Sequence, residues 1–181
     1  MKIISGKYKG RILEGYDILG TRPTMERVKE SLFATIQNKI KDSVVLDLFA
    51  GSGNLGIEAL SQGANYAYLV DSNPKAIQVM KNNISKIGIQ EIEVLGMDYQ
   101  KALEYLKKQD ISFDIIFLDP PYKTNYIEKA LLVIEKYHLI KEDGFVVCES
   151  DELDKICYSS SYQEFKNKKY GDKYVVILQK I

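Results

Sequence analysis

Val44-Val45-Leu46-Asp47-Leu48-Phe49-Ala50-Gly51-Ser52-Gly53-Asn54-Leu55-Gly56 is a short apolar run that breaks into glycines and then turns helical. Gly51, Gly53 and Gly56 have the spacing G-x-G-x-x-G, set between a predicted strand and a predicted helix. Glycine lets the backbone turn sharply there and approach a ligand where a β-carbon would collide. Asp71, twenty residues past Gly51, closes the next apolar run and is placed to accept hydrogen bonds from ribose hydroxyls. The stretch predicts an α/β sheet that binds a nucleoside-containing cofactor.

Outward from this loop the pattern repeats for about a hundred residues. Apolar runs at 44–49, 67–70, 92–95, 113–118 and 145–148 alternate with helical stretches near 54–62, 74–87, 99–108 and 125–138. Asn73-Pro74 supplies a capping residue and a proline at the first helical position. Such alternation implies right-handed crossovers and a mostly parallel sheet. After Cys148 the rhythm changes: 162–168 and 173–180 have only Tyr170-Gly171-Asp172 between them and read as a closing antiparallel hairpin. On the other side, Lys2-Ile3-Ile4 and Arg11-Ile12-Leu13 suit an N-terminal β-ribbon. Thr24 is placed to cap a helix with Met25, Val28, Leu32, Phe33, Ile36 and Ile40 on one face. Residues 1–181 are expected to form a single domain, with 1–41 a basic ribbon and helix and 42–181 a cofactor-binding catalytic core.

NAD(P) and S-adenosylmethionine both fit a glycine loop of this kind. A dinucleotide would bring a pyrophosphate against Asp47, whereas S-adenosylmethionine carries a cationic sulfonium and a cationic amino group. Asp47 therefore favours S-adenosylmethionine, although it could instead hydrogen-bond loop amides. Asp98, after the third strand, could pair with the adenine amino group or cap the helix that starts at Tyr99. The cofactor candidates are Asp47, Phe49, Gly51, Gly53, Asn54, Asp71, Asp98 and Tyr99.

The fourth strand ends in Asp119-Pro120-Pro121-Tyr122. Two prolines lack amide hydrogens and cannot continue a parallel strand, so the chain must leave the sheet at its ligand-binding end. An exocyclic base amine is a poor nucleophile because its lone pair is delocalised into the ring. A carboxylate and a backbone carbonyl that accept its two hydrogens hold the nitrogen and aim its lone pair at a methyl donor. Asp119 and the Pro120 carbonyl are the candidate acceptors, and Tyr122 can stack on the base. Asp119 to Tyr122 are the candidate catalytic residues.

Together, Asp119 to Tyr122 and the Phe49 to Gly53 loop resemble the amino methyltransferases of the Rossmann class that use S-adenosylmethionine. More narrowly, Arg22-Pro23-Thr24, Val28 to Phe33 and Asp47 to Leu60 resemble the RsmD family, across Ser5 to Ser150. The resemblance implies a seven-stranded sheet of order 3-2-1-4-5-7-6 with the last strand antiparallel. It also implies methyl transfer to the N2 amine of a guanine in 16S ribosomal RNA, with release of S-adenosylhomocysteine and no metal. Gly51, Gly53 and Asp71 would then serve the cofactor, and Asp119 to Tyr122 the base. Arg22 and Thr24 would lie near the active site, on either RNA or cofactor.

Charge points the same way. Twenty-five basic and 25 acidic residues cancel overall, yet residues 1–41 carry nine Lys or Arg against four Asp or Glu, a net of +5. All three arginines lie in that segment, where a guanidinium fork suits phosphate. Lys7, Lys9, Arg11, Arg22 and Arg27 are the candidate RNA contacts. Cys148, Cys157 and His138 are too few for a structural zinc site, and two free thiols are expected. With no secretory signal or membrane-length apolar run, a cytoplasmic monomer is expected, acting on 16S rRNA or an assembling small subunit and without a membrane partner. The rival readings are a DNA adenine or protein glutamine methyltransferase, which would share the tetrapeptide; an NAD(P) oxidoreductase, which would share the loop; and a noncatalytic RNA-binding module.

Overall fold

The computed structural model describes residues 1–16, 23–121 and 124–181, the side chains of Pro23 and Thr24 aside. Helix α1 (Pro23–Ile40) leads to β1 (Val44–Asp47), α2 (Asn54–Ser61), β2 (Tyr66–Asp71), α3 (Pro74–Ile87) and β3 (Ile92–Gly96). Then come α4 (Tyr99–Lys108), β4 (Phe113–Leu118), α5 (Tyr126–Lys136), β5 (Ile140–Ser150), β6 (Tyr162–Tyr170) and β7 (Lys173–Lys180). The seven strands form one sheet, in the order β3-β2-β1-β4-β5-β7-β6. β1 to β5 pair in parallel, while β7 runs antiparallel to both β5 and β6. The fold is a Rossmann-like α/β sheet with β7 inserted antiparallel.

Alternating strand residues feed two cores, one on each face of the sheet. Val45, Leu69, Ile115, Phe117 and Val147 pack against α1, α2 and Met80 of α3. Leu46, Val70, Ile116, Leu118, Val146 and Cys148 pack against α4 and α5. Gly56 brings α2 down onto β2: a β-carbon there would stand 2.1 Å from Leu69 Cδ2, which is why the third glycine of the loop is needed.

Several boundaries differ from expectation. Helix α1 begins at Pro23, so Thr24 lies inside the first turn rather than capping it; proline's fixed φ and missing N–H suit the first helical position. Met25 is 41% exposed, because its surroundings are Met1, Lys29 and Asn54 rather than the core. β5 starts at Ile140, five residues early, and a bulge with Asp143 at φ 59° absorbs the polar Lys141 to Gly144. The N-terminal ribbon has a single bridge, Lys2 with Ile12, flanked by Ile3 N–H to Arg11 carbonyl (3.0 Å) and Leu13 N–H to Met1 carbonyl (2.7 Å). Ile3 and Leu13 point into the core. No described helix is long and apolar enough to cross a membrane.

Candidate active site

β1, β2 and β4 are neighbours, and each delivers an aspartate at its C-terminal end. Asp47 pairs in register with Leu69 and Phe117, so Asp71 and Asp119 each extend two residues further. Three carboxylates thereby converge around the glycine loop.

Asp71 shapes that loop. Its Oδ2 accepts from Gly51 N–H at 2.9 Å and its Oδ1 from Asn73 N–H at 2.8 Å. The helix cap itself is Asn73, whose side chain accepts from Lys75 N–H. Gly51 and Gly53 have φ of 55° and 82°, a region that other residues adopt only with strain. Asp47 is 1% exposed; its Oδ2 accepts from Gly56 N–H at 3.1 Å, while its Oδ1 has no partner among the described residues. Burial first, and Asp71 after it, push its carboxyl up to about 7. A buried carboxylate with one orphan oxygen is stabilised by a cation, so the site fits a ligand bearing a sulfonium and an ammonium better than one bearing a pyrophosphate.

Asp119 follows β4. Burial raises its carboxyl well above the ordinary range; Glu149 raises it further and Lys173 opposes that. Glu149, near the end of β5, is ion-paired with Lys173 at the start of β7. Pro120 is buried and Pro121 exposed. Thr124 Oγ1 donates to the Pro121 carbonyl at 2.7 Å, and no described residue donates to that of Pro120. Tyr122 and Arg22 lie outside the described residues, as does the side chain of Thr24.

Phe49 lies in an aromatic group beside the loop. Its ring centroid is 5.3 Å from that of Tyr99 and 6.0 Å, nearly parallel, from that of Tyr126. Asp98 caps α4, its Oδ1 accepting from Gln100 N–H at 2.9 Å. Asn54 opens α2, and its Oδ1 accepts from Lys29 Nζ at 2.8 Å.

Two features escaped sequence reasoning. Tyr126 is the first residue of the helix after the proline corner, a position that could have been noticed. The other is a buried ion pair, Lys29 Nζ to Glu58 Oε2 at 2.9 Å, with side chains 3% and 0% exposed. Glu58 also accepts from Ile4 and Ser5 N–H, while Lys29 donates to the Lys2 carbonyl. Glu58 stands amid the apolar Gly-Ile-Glu-Ala-Leu of α2, a signal that was available.

Lys7, Lys9, Arg11 and Arg27 are exposed, and Lys9 lines one hollow with Glu26 and Glu30, which flank Arg27 on α1. Lys7 N–H donates to the carbonyl of Ser61, the last residue of α2, at 2.7 Å. It therefore sits about 12 Å, the length of an eight-residue helix, from the glycine-loop end. Arg27 lies near the start of α1, at the carboxylate end of the sheet. Among the described residues, no group of His, Cys, Asp or Glu is arranged to hold a metal.

This sheet order, glycine loop and proline corner define a methyltransferase of the Rossmann-like class. Residues 1–179 match the family described as conserved hypothetical protein 95, and the chain belongs to that family, the RsmD-like methyltransferases. It is 43% identical over 152 residues to YlbH of Bacillus subtilis (strain 168), covering 83% of each chain. It is 35% identical over 167 residues to the ribosomal RNA small subunit methyltransferase D of Buchnera aphidicola subsp. Acyrthosiphon pisum, covering 92% of this chain and 86% of that one. The solved structure of yhhF from Escherichia coli superposes with a TM-score of 0.87 at 28% identity, covering 99% of this chain and 97% of the other.

Proposed function

We propose that the protein transfers a methyl group from S-adenosylmethionine to the exocyclic N2 amine of a guanine in small-subunit ribosomal RNA. The observation that carries this reading is the convergence of Asp47, Asp71 and the Asp119-Pro120-Pro121 corner around one glycine loop. The name of the Buchnera relative supports the ribosomal substrate.

Gly51 and Gly53 give the cofactor's methionine portion close approach, Asp71 takes the ribose hydroxyls, and Asp47 faces the positive charge. Phe49, Tyr99 and Tyr126 wall the adenine side, where Asp98 accepts from its amino group. When bound, S-adenosylmethionine supplies a methyl carbon made electrophilic by a positively charged sulfur. Asp119 and the Pro120 carbonyl accept the two amine hydrogens of guanine, which turns the nitrogen lone pair towards that carbon, and Tyr122 stacks on the base. As nitrogen gains the methyl it becomes strongly acidic, and Asp119 takes the released proton. Residues 1–41 serve as the RNA-contacting part and residues 42–181 as the catalytic core, in a monomer acting in the cytoplasm.

The test is methyl transfer from labelled S-adenosylmethionine to small-subunit rRNA and to partially assembled particles, followed by nucleoside analysis. N2-methylguanosine is the expected product. Label on DNA adenine or protein glutamine, or no label on RNA, would overturn the proposal.

A further inference from the structure

We infer that the tip of the β6–β7 hairpin, with Arg27 of α1, is a second RNA-binding surface that grips the sugar-phosphate strand flanking the target base. The inference deepens the rRNA methyltransferase reading and rests on it.

Register puts the tip at the catalytic end. Leu118 pairs with Cys148, Cys148 with Val176, and Ser150 with Tyr174. Asp119, one residue past Leu118, is thus level with Glu149 and Val175, and the turn at Gly171-Asp172 rises just beyond. Strands lie about 4.8 Å apart, so β7 is roughly 10 Å to the side of Asp119, within the span of two nucleotides. Lys173 enters the Asp119 environment directly through its ion pair with Glu149.

The tip is basic and partly aromatic. Lys166, Lys168 and Lys169 lie in the second half of β6, all exposed, whereas Gln163 and Glu164 occupy the first half. Lys168 Nζ lies 4.9 Å from the Tyr170 ring centroid and Lys169 Nζ 5.0 Å from that of Tyr174, on opposite faces of the hairpin. The aromatic rings hold these stems in place. Tyr170 OH donates to Ser31 Oγ at 2.6 Å and Lys168 Nζ to the same atom at 3.4 Å. Arg27 precedes Ser31 by one helical turn on the same face of α1, which extends the cluster towards the catalytic end. The acidic residues nearby are Asp172 at the turn, Glu149, paired with Lys173, Asp151, paired with Lys155, and Glu26 and Glu30, which flank Arg27 on α1.

Lysines on an edge strand also guard against strand-to-strand aggregation. That role is satisfied by either sign of charge, Glu164 as well as the lysines, whereas the positive charge alone is gathered in the half nearest Asp119. The experiment exploits this difference.

Lys168→Glu/Lys169→Glu keeps the edge charged but repels phosphate. Lys107→Glu/Lys108→Glu makes the same change in net charge on exposed residues at the end of α4, on the opposite rim of the sheet. Binding of the full-length protein to a small-subunit rRNA fragment is measured across a salt series. The hairpin variant should bind about tenfold more weakly, with the log–log salt slope shallower by about 2, and with unchanged melting temperature and S-adenosylmethionine affinity. The α4 variant should resemble wild type. Equal losses in both variants, or none in the hairpin variant, overturn the inference. Should the reversal disturb folding, Lys168→Gln/Lys169→Gln is read by the same slope. If wild type binds no RNA, the functional reading falls as well. If Lys9→Glu/Arg11→Glu weakens binding and the hairpin variants do not, only the second surface falls.

Discussion

Asn83 meets Glu14 as a neighbouring strand would. Its Oδ1 accepts from Glu14 N–H at 2.8 Å and its Nδ2 donates to the Glu14 carbonyl at 3.0 Å. The same nitrogen donates to the Ser52 carbonyl at 3.0 Å, and the residue is wholly buried. One side chain on α3 thus ties the ribbon's exit to the glycine loop, and the next described residues reach over that loop. Tyr16 OH accepts from Asn73 Nδ2 at 3.2 Å.

Replacing Asn83 by Ala leaves one N–H and two carbonyls without this partner. A loss of about 2–3 kcal/mol is expected, or roughly 5–10 °C in melting temperature for a chain of this size. Because Ser52 belongs to the glycine loop, the proposed cofactor site, calorimetry should also find weaker S-adenosylmethionine binding. Unchanged affinity would confine Asn83 to folding.

Asp119→Asn keeps the size of the side chain but loses its charge and its capacity to take a proton. Turnover should fall by about 10²–10⁴, with cofactor affinity nearly unchanged, in single-turnover assays beside equilibrium titration. Near-wild-type turnover would remove Asp119 from the chemistry.

Burial and Glu149 keep the Asp119 carboxyl protonated to higher pH than an exposed aspartate. Activity that needs the ionised form should therefore rise with pH along a limb displaced above the usual aspartate range. Glu149→Gln removes a negative neighbour and should move that limb to lower pH; Lys173→Met removes a positive one and should move it higher. Rate profiles from pH 5 to 9 read both displacements, and the two variants must shift in opposite senses.

Asp47 is raised to about 7 from 3.8, so between those values the folded protein binds more protons than the unfolded chain. Stability from this group is present at acidic pH and lost as pH rises towards 7, by up to about 4 kcal/mol. Urea unfolding of the cofactor-free protein at pH 5 and pH 8 measures the loss. Asp47→Asn should abolish this part of the pH dependence and be the more stable form at pH 8, while binding S-adenosylmethionine less tightly.

Lys29→Met strands the fully buried Glu58 and should cost about 3–5 kcal/mol. Glu58→Gln should additionally loosen the ribbon, seen as faster hydrogen exchange at the Ile4 and Ser5 amides, which Glu58 now accepts from.

The strand-end residues of this candidate site were legible because their signals are local. Gly51, Gly53, Gly56, Asp71 and the Asp119-Pro120-Pro121 corner each sit at a strand end, where an apolar run meets glycine, carboxylate or proline. The five parallel strands follow from the same alternation. Lys29 with Glu58 and Asn83 with Glu14 were not legible, because they join residues 29 and 69 positions apart and leave no periodic trace. Charge counting found a basic N-terminal segment, yet only the folded chain shows Lys7 at the rim away from Asp119 and Lys168 near it. Sequence distance says nothing about which end of the sheet a side chain reaches.

The docking of the ribbon also orders events during synthesis. Residues 3–14 leave the ribosome long before Glu58 and Asn83, the side chains that receive them. Until Glu58 and Asn83 have emerged, this basic segment lacks the partners that hold it and stays open to other polyanions or to proteases. A nascent chain stalled before residue 83 should therefore be clipped within residues 3–14, whereas the completed fold, with Ile3 and Leu13 in its core, should resist.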